Sequence, residues 1–300
     1  MLTLNNVNLS NDGTSRTLLL LGSGTTNITG NIANGAGAGG SAVQLLGSGT
    51  LNLTGTSGFG VRLLADHGNI VISGALGAVP NLSGAVGEGI RPRGAGVITL
   101  DSSGANSTVS IAQSTPSVTT VNASNTLTTT STANLRVGQL ITGTGIPAGS
   151  SIIEIVNATT FRINTPATAA GTVTATISAM SGRLGDGSAV SLEGGTLNVI
   201  SNAAGTTEST GLLIAYGNAA ITLSGAGTNT LTFSSIDRGF YADGRSALNF
   251  GATTSLGANN KVFISNLGNG FQPRFLVGDG KLGAYSTTNG VSEFTGFATG

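Results

Sequence analysis

Six times along this chain a small residue, usually glycine, is followed by an apolar residue and a short strand-like run that closes on another glycine. The phrases are Gly40-Ser-Ala-Val43-Gln, Gly58-Phe-Gly-Val61-Arg, Gly87-Glu-Gly-Ile90-Arg, Ser209-Thr-Gly-Leu212-Leu, Asp237-Arg-Gly-Phe240-Tyr and Gly268-Asn-Gly-Phe271-Gln. Val43, Val61 and Ile90 are 18 and 29 positions apart, and Leu212, Phe240 and Phe271 are 28 and 31 apart. An uneven period in this range belongs to stacked structural repeats, each too small to bury its own apolar face. The residues expected to point inward and stack across repeats are Val43, Val61, Ile90 and Leu212.

Composition narrows the kind of repeat. There are 49 glycines, only 8% charged residues and abundant Thr, Val, Ile and Asn, so strong helix formers are scarce. Hydrophobic residues still reach 39%, more than a disordered low-complexity chain carries. Between the glycines, Leu51-Asn-Leu53, Ile70-Val-Ile72, Ile98-Thr-Leu100, Leu197-Asn-Val199, Ile221-Thr-Leu223, Leu231-Thr-Phe233 and Leu248-Asn-Phe250 mostly alternate apolar with Asn or Thr. This alternation puts one strand face inward and one in water. Asp12-Gly13, Asn34-Gly35, Asp243-Gly244 and Asn289-Gly290 supply corners.

An antiparallel sandwich and a parallel β-helix both use such strands. Repeats of 18 to 31 residues holding two or three strands match one coil of the second. The expected fold class is all-β, a right-handed parallel β-helix, or solenoid. At about 24 residues per coil it would hold on the order of ten coils, ~4.8 Å apart, in a rod ~50 Å long. The array is interrupted between Ile90 and Leu212, and the stretch 116–178 holds three of the six prolines. It is expected to form a small all-β insert with strands near Leu140-Ile141, Ile152–Val156, Thr160–Ile163 and Val173–Ile177. The domain plan is therefore 1–115 β-helix repeats, 116–178 inserted module and 179–300 β-helix repeats continued.

Several functions are disfavoured by composition. Twelve basic and twelve acidic residues cancel and lie scattered, so no nucleic-acid or anionic-membrane partner is expected. Without cysteine there are no disulfides, thiol nucleophiles or cysteine metal sites. The longest aliphatic run, Leu18 to Leu21, is far below the ~18 residues of a membrane span. Met1 leads straight into an alternating strand rather than a signal peptide, and Gly300 falls within a strand pattern, so a piece of a larger polypeptide is expected.

The opening Leu-Thr-Leu-Asn-Asn-Val-Asn-Leu, the rungs Gly-Thr-Leu-Asn-Leu-Thr-Gly (49–55) and Gly-Gly-Thr-Leu-Asn-Val (194–199), and the stretch from Phe275-Leu-Val-Gly-Asp-Gly to Phe297 resemble autotransporter-associated β-strand repeat proteins. The insert phrase Val137-Gly-Gln-Leu-Ile-Thr-Gly-Thr-Gly-Ile-Pro is similar to a small β module of large bacterial surface proteins and phage structural proteins. The resemblance implies a long secreted or cell-surface bacterial polypeptide, a passenger-like β-helix without chemistry of its own. Its partners would be a host or environmental surface, a polysaccharide, or neighbouring repeats of the same polypeptide.

Residues able to carry chemistry are sparse. His67 is the only histidine and stands beside Asp66, lacking a nucleophile or second imidazole in its repeat, so it reads as a turn residue. Asp237, Arg238, Asp243 and Arg245 form the densest charge cluster, and carboxylates one coil apart could act on a polysaccharide; the plainer expectation is a solvated turn. Gly185-Asp-Gly187 and Gly278-Asp-Gly280 fall short of a calcium-binding repeat, and Arg91-Pro-Arg93 is no basic patch. The expectation is no catalytic, cofactor-binding or metal residue, and no cofactor. A non-catalytic extracellular scaffold, structural or adhesin-like, leads; a β-helical polysaccharide lyase or hydrolase and a phage tail or fibre segment are the alternatives.

Overall fold

A four-residue strand has too little surface to be stable alone, so each apolar-polar segment is held by the equivalent segment one coil on. In the computed structural model of the chain, residues 1–10, 12, 14–30, 32–33, 41–55, 62–74, 89–104, 110–136, 138–237 and 246–296 are described. Among them there is no helix, and the strands build a parallel β-solenoid of about nine turns. Each turn supplies one strand to each of two sheets. The first sheet runs Leu2–Leu4, Thr25–Ile28, Thr50–Leu53, Asn69–Ile72, Val97–Asp101, Thr196–Ser201, Asn218–Gly225, Ala247–Ala252 and Gly270–Val277, all parallel. The second runs Thr17–Leu20, Ala42–Leu45, Arg62–Ala65, Ile90–Pro92, Val190–Glu193, Thr206–Tyr216, Asn229–Asp237 and Asn260–Ile264, also parallel.

The core is a set of aliphatic columns between the sheets. On the first, Ile28, Leu53, Ile72, Leu100, Val199 and Leu223 stack in register and are buried. On the second, Val43, Leu63, Ile90, Val190, Leu213 and Ile236 do the same. Burying each such side chain contributes roughly 1.5–3 kcal/mol. On the outer face of the first sheet, polar side chains bond along the rod: Asn52 Nδ2 donates to Asn27 Oδ1 at 2.8 Å, and Thr222 Oγ1 to Asn198 Oδ1 at 2.9 Å.

The glycine that closes many of the first-sheet strands is dictated by the next coil. A Cβ on Gly55 would lie 2.2 Å from the Gly30 carbonyl oxygen, and one on Gly74 would lie 1.9 Å from that of Gly55. Corner sits on corner, so no side chain fits. At the far end the parallel stacking gives way to an antiparallel cap, Gly270–Val277 with Lys281–Ser286 and Gly290–Glu293. Tyr285 and Val291 enter the core there, and the Ile264 N–H donates to Tyr285 Oη at 3.3 Å.

Two of the four expected inward residues, Val43 and Ile90, are fully buried in the second-sheet column. Leu212 is corrected: it is half-buried and faces outward, and Leu213 takes the inward place. Val61 and Phe240 lie outside the described residues; Leu63 and Ile236 hold the corresponding column positions. Phe271 is 44% exposed on the cap. The slip has a physical cause. In the middle of the second sheet both faces are covered, since Leu64, Ser191 and Ile214 are buried as well, and alternation no longer marks the inner side.

Between Val97–Asp101 and the coil that follows it, the chain leaves the rod. Ser110–Ile111 and Met180–Ser181 pair antiparallel as a neck. Beyond it lies a five-stranded antiparallel sheet of Ile152–Asn157, Thr160–Ile163, Thr126–Thr129, Ser117–Thr120 and Gly171–Thr174, with a short pair, Ile141–Thr142 and Thr176–Ile177. Its core, with Val118, Leu127, Ile141, Ile152, Phe161 and Ile163 among its members, is separate from the core of the rod. Glu154 and Arg162 pair between the neighbouring strands Ile152–Asn157 and Thr160–Ile163 at 3.0 Å.

Gly55→Ala is expected to lower unfolding free energy by about 1–3 kcal/mol through overpacking. Gly24→Ala, whose Cβ would meet nothing within 4 Å, should stay within about 0.5 kcal/mol of the parent; denaturant titration of both checks this. Replacing 116–178 by a short Gly/Ser linker should leave the rod's melting midpoint within a few degrees. Loss of cooperative melting would mean that the segment supplies rungs.

Candidate functional site

Charges far apart in sequence meet on the outward face of the second sheet, along its central strands. Arg91 and Glu193, separated by the whole insert, stand on neighbouring coils: Arg91 Nη2 is 2.5 Å from Glu193 Oε1, with Nε donating to the same oxygen at 2.9 Å. One coil back, Arg93 Nη2 is 2.6 Å from Asp66 Oδ1, and Gln44 Nε2 donates to Asp66 Oδ2 at 2.8 Å. Ser191 Oγ donates to Glu193 Oε1 at 3.3 Å. The seam crosses four coils and its side chains are largely buried, so solvent screens it less than an exposed pair. His67 sits at the turn beside it, exposed.

A second cluster lies where the chain returns from the insert. Arg183 and Glu208 are 2% and 1% exposed. The Glu208 carboxylate accepts the backbone N–H of Arg183 at 2.7 Å and of Leu184 at 2.9 Å. The guanidinium turns the other way: Nε donates to Ser102 Oγ at 3.0 Å and Nη1 to the Gly74 carbonyl oxygen. Gly74 and Ser102 are corner residues of the two coils before the insert, so one arginine bridges the departing and returning chain. The carboxylate fills the space a side chain at position 182 would take, which is why glycine stands there. Burial pushes the Glu208 carboxyl up to about 8, against the lowering effect of the two N–H donors and Arg183; Asp186 nearby adds to the rise.

Beside this knot, a cavity of about 360 Å³ opens where insert and rod meet, lined by Leu140, Asp186, Gly187, Ala189, Gly211, Leu212 and Ser234. Its wall is mostly apolar, with Asp186 as the single carboxylate.

The residues singled out in the sequence are placed as follows. Asp66, Arg91 and Arg93 belong to the seam. Asp186 lines the cavity, and Gly278-Asp279-Gly280 turns the cap hairpin. Asp237 ends its strand half-buried, in register with Ile214; Arg238, Asp243 and Arg245 lie outside the described residues. Among the described residues no three His, Asp or Glu side chains gather to hold a metal ion. Arg183 and Glu208 escape sequence reasoning because Thr-Thr-Glu208-Ser-Thr looks like any polar strand face, and their partners lie up to 109 positions away. Arg91–Glu193 escapes sequence reasoning as well: the two are 102 positions apart, and with 116–178 set aside 39 positions remain, more than the 18 to 31 of one coil.

No protein family, curated protein or solved structure matches this chain.

Because the folded carboxyl of Glu208 binds its proton more tightly than an unfolded one, its contribution is fully present below the ordinary carboxyl range. It is lost as pH rises through about 8. Each tenfold gain in proton affinity is worth about 1.4 kcal/mol, so stability should fall by roughly 3–5 kcal/mol between pH 4.5 and 8 from this group. Melting curves across that range test it: Glu208→Gln should flatten the slope, whatever its effect on the midpoint at one pH.

Proposed function

We propose that this chain is a non-catalytic extracellular scaffold, structural or adhesin-like, and a segment of a large bacterial surface or autotransporter-type protein. The observation that carries the reading is how the rod uses its few charges. Asp66, Arg91, Arg93 and Glu193 engage one another across coils, and Arg183 and Glu208 fasten the insert's return. Groups tied up in this way hold shape; catalysis needs unlike groups converging on an open site. Glu208, the one described carboxyl with its pKa raised toward neutrality in the rod, is sealed from any substrate. What remains at the surface of the first sheet is a ladder of Asn and Thr side chains, a long area of weak charge suited to contact rather than turnover. Resemblance to β-strand repeat proteins supports the extracellular placement.

The purified chain, assayed against acidic and neutral polysaccharides, is expected to give no turnover, and any binding should be unaffected by Asp237→Ala. Turnover that disappears in Asp66→Ala, Glu193→Ala or Asp237→Ala would replace this reading with a β-helical lyase or hydrolase.

A further inference from the structure

The insert is seated on the rod at its base. Gln139 Nε2 donates to the Ser178 carbonyl oxygen at 2.7 Å. Leu140 exchanges two further bonds with Ser178, its N–H donating to Oγ at 3.0 Å and its carbonyl oxygen accepting the Ser178 N–H at 2.9 Å. Gly138 lies so close to the returning chain that a Cβ on Gly185 would be 2.8 Å from the Gly138 Cα. These contacts fix Leu140, 40% exposed, as the insert's side of the cavity of about 360 Å³ at the junction. The rod's Ala189 and Leu212 supply the rest of the apolar wall.

Glycine makes the space. Gly211 stacks on Gly187 so that a Cβ on Gly211 would be 2.4 Å from the Gly187 carbonyl oxygen, and both line the cavity with backbone alone. The volume falls in the range of small-molecule sites, which gather at junctions between structural units. Among the described lining residues only Asp186 and Ser234 carry polar side-chain atoms. Asp186 is half-buried and near enough to Glu208 for its charge to act there, while the Arg183 guanidinium is turned to Ser102 and Gly74. The cavity therefore favours a cation.

One carboxylate is too few for a hard divalent metal, which takes several oxygen ligands. A neutral apolar occupant would strip water from that carboxylate and return no charge. An ammonium on a compact aliphatic body answers both demands, with a charge-assisted hydrogen bond to Asp186 and carbon against Leu140, Ala189 and Leu212. We propose that the junction cavity binds a free small organic amine in its ammonium form, held by Asp186 with Ser234 as a second acceptor and with its aliphatic body between insert and rod. The site goes beyond the scaffold reading and holds whether or not that reading does.

Cyclohexylammonium, cyclohexanol and cyclohexanecarboxylate share one body and differ in charge. Titrated into the whole chain and followed by amide NMR, the ammonium should saturate with a dissociation constant of about 1 mM and shift Gly187 and Gly211. The alcohol and the carboxylate should bind at least about tenfold more weakly. Asp186→Asn should weaken the ammonium by a similar factor, whereas Asp279→Asn, at the cap turn, should change nothing. Leu140→Ala, at an exposed position, should weaken it several-fold while the circular-dichroism melt stays cooperative. Nα-acetyl-lysine methylamide, which carries the same ammonium on a polypeptide side chain, should bind no better than cyclohexylammonium. No saturable binding, equal affinity for the alcohol, an affinity indifferent to Asp186→Asn in a cooperatively melting variant, or tighter binding of the lysine derivative would overturn the proposal.

Discussion

Everything in the rod depends on one close approach: the backbone of each coil lies against the backbone of the coil before it, at the corners as well as along the strands. At Gly55 and Gly74 the distance from a hypothetical Cβ to the carbonyl below is about 2 Å, so the corner admits only glycine. With corners fixed, the strands fall into register, and register places one aliphatic column per sheet face in the core. The reverse order would not work. Columns of Val, Ile and Leu are interchangeable in kind and could slide by two residues; the corners forbid it.

This division of labour explains which parts of the fold are legible in the sequence. The first-sheet strands, from Leu51-Asn-Leu53 to Leu248-Asn-Phe250, stand where their alternation puts them, because that sheet has one face in the core and one displaying Asn and Thr. The second sheet is harder. Ile214 is as deeply buried as Leu213 beside it, so a rule of alternation has nothing to select on, and it sends Leu212 to the wrong side. About nine turns form where about ten are expected, since Gly270 to Glu293 turns back on itself as a cap. In the insert, four of the strand regions are readable, but Ser117–Thr120 and Thr126–Thr129 look like a polar entry segment. Each offers one apolar residue to the insert core, Val118 and Leu127, and threonine supplies the rest of the strand propensity.

The polar seam and the Arg183–Glu208 knot are legible only in part, for a different reason. Asp66, Arg91 and Arg93 stand out as local motifs, yet their partners are decided by coil stacking and not by sequence distance. A buried carboxyl that accepts two backbone N–H bonds, next to an arginine that spends its own donors on Ser102 and Gly74, is a costly arrangement unless every bond is made. It occurs at the one place where the solenoid must splice two chain segments in the middle of a stack.

That splice also bears on the order of folding. Val97–Asp101 pairs directly with Thr196–Ser201, although the chain between them is nearly a third of the molecule. Were that stretch a loose loop, bringing its ends together would be the slowest and most entropically demanding contact in an otherwise local topology. A module that folds first on its own core, with Ser110–Ile111 and Met180–Ser181 pinched together as a neck, shortens the effective loop several-fold and lowers its closure cost by about 1–2 kcal/mol. The insert then works as a clasp: by folding, it delivers the ends of two half-rods to each other, so that growth of the stack can cross the gap at the pace of neighbouring coils.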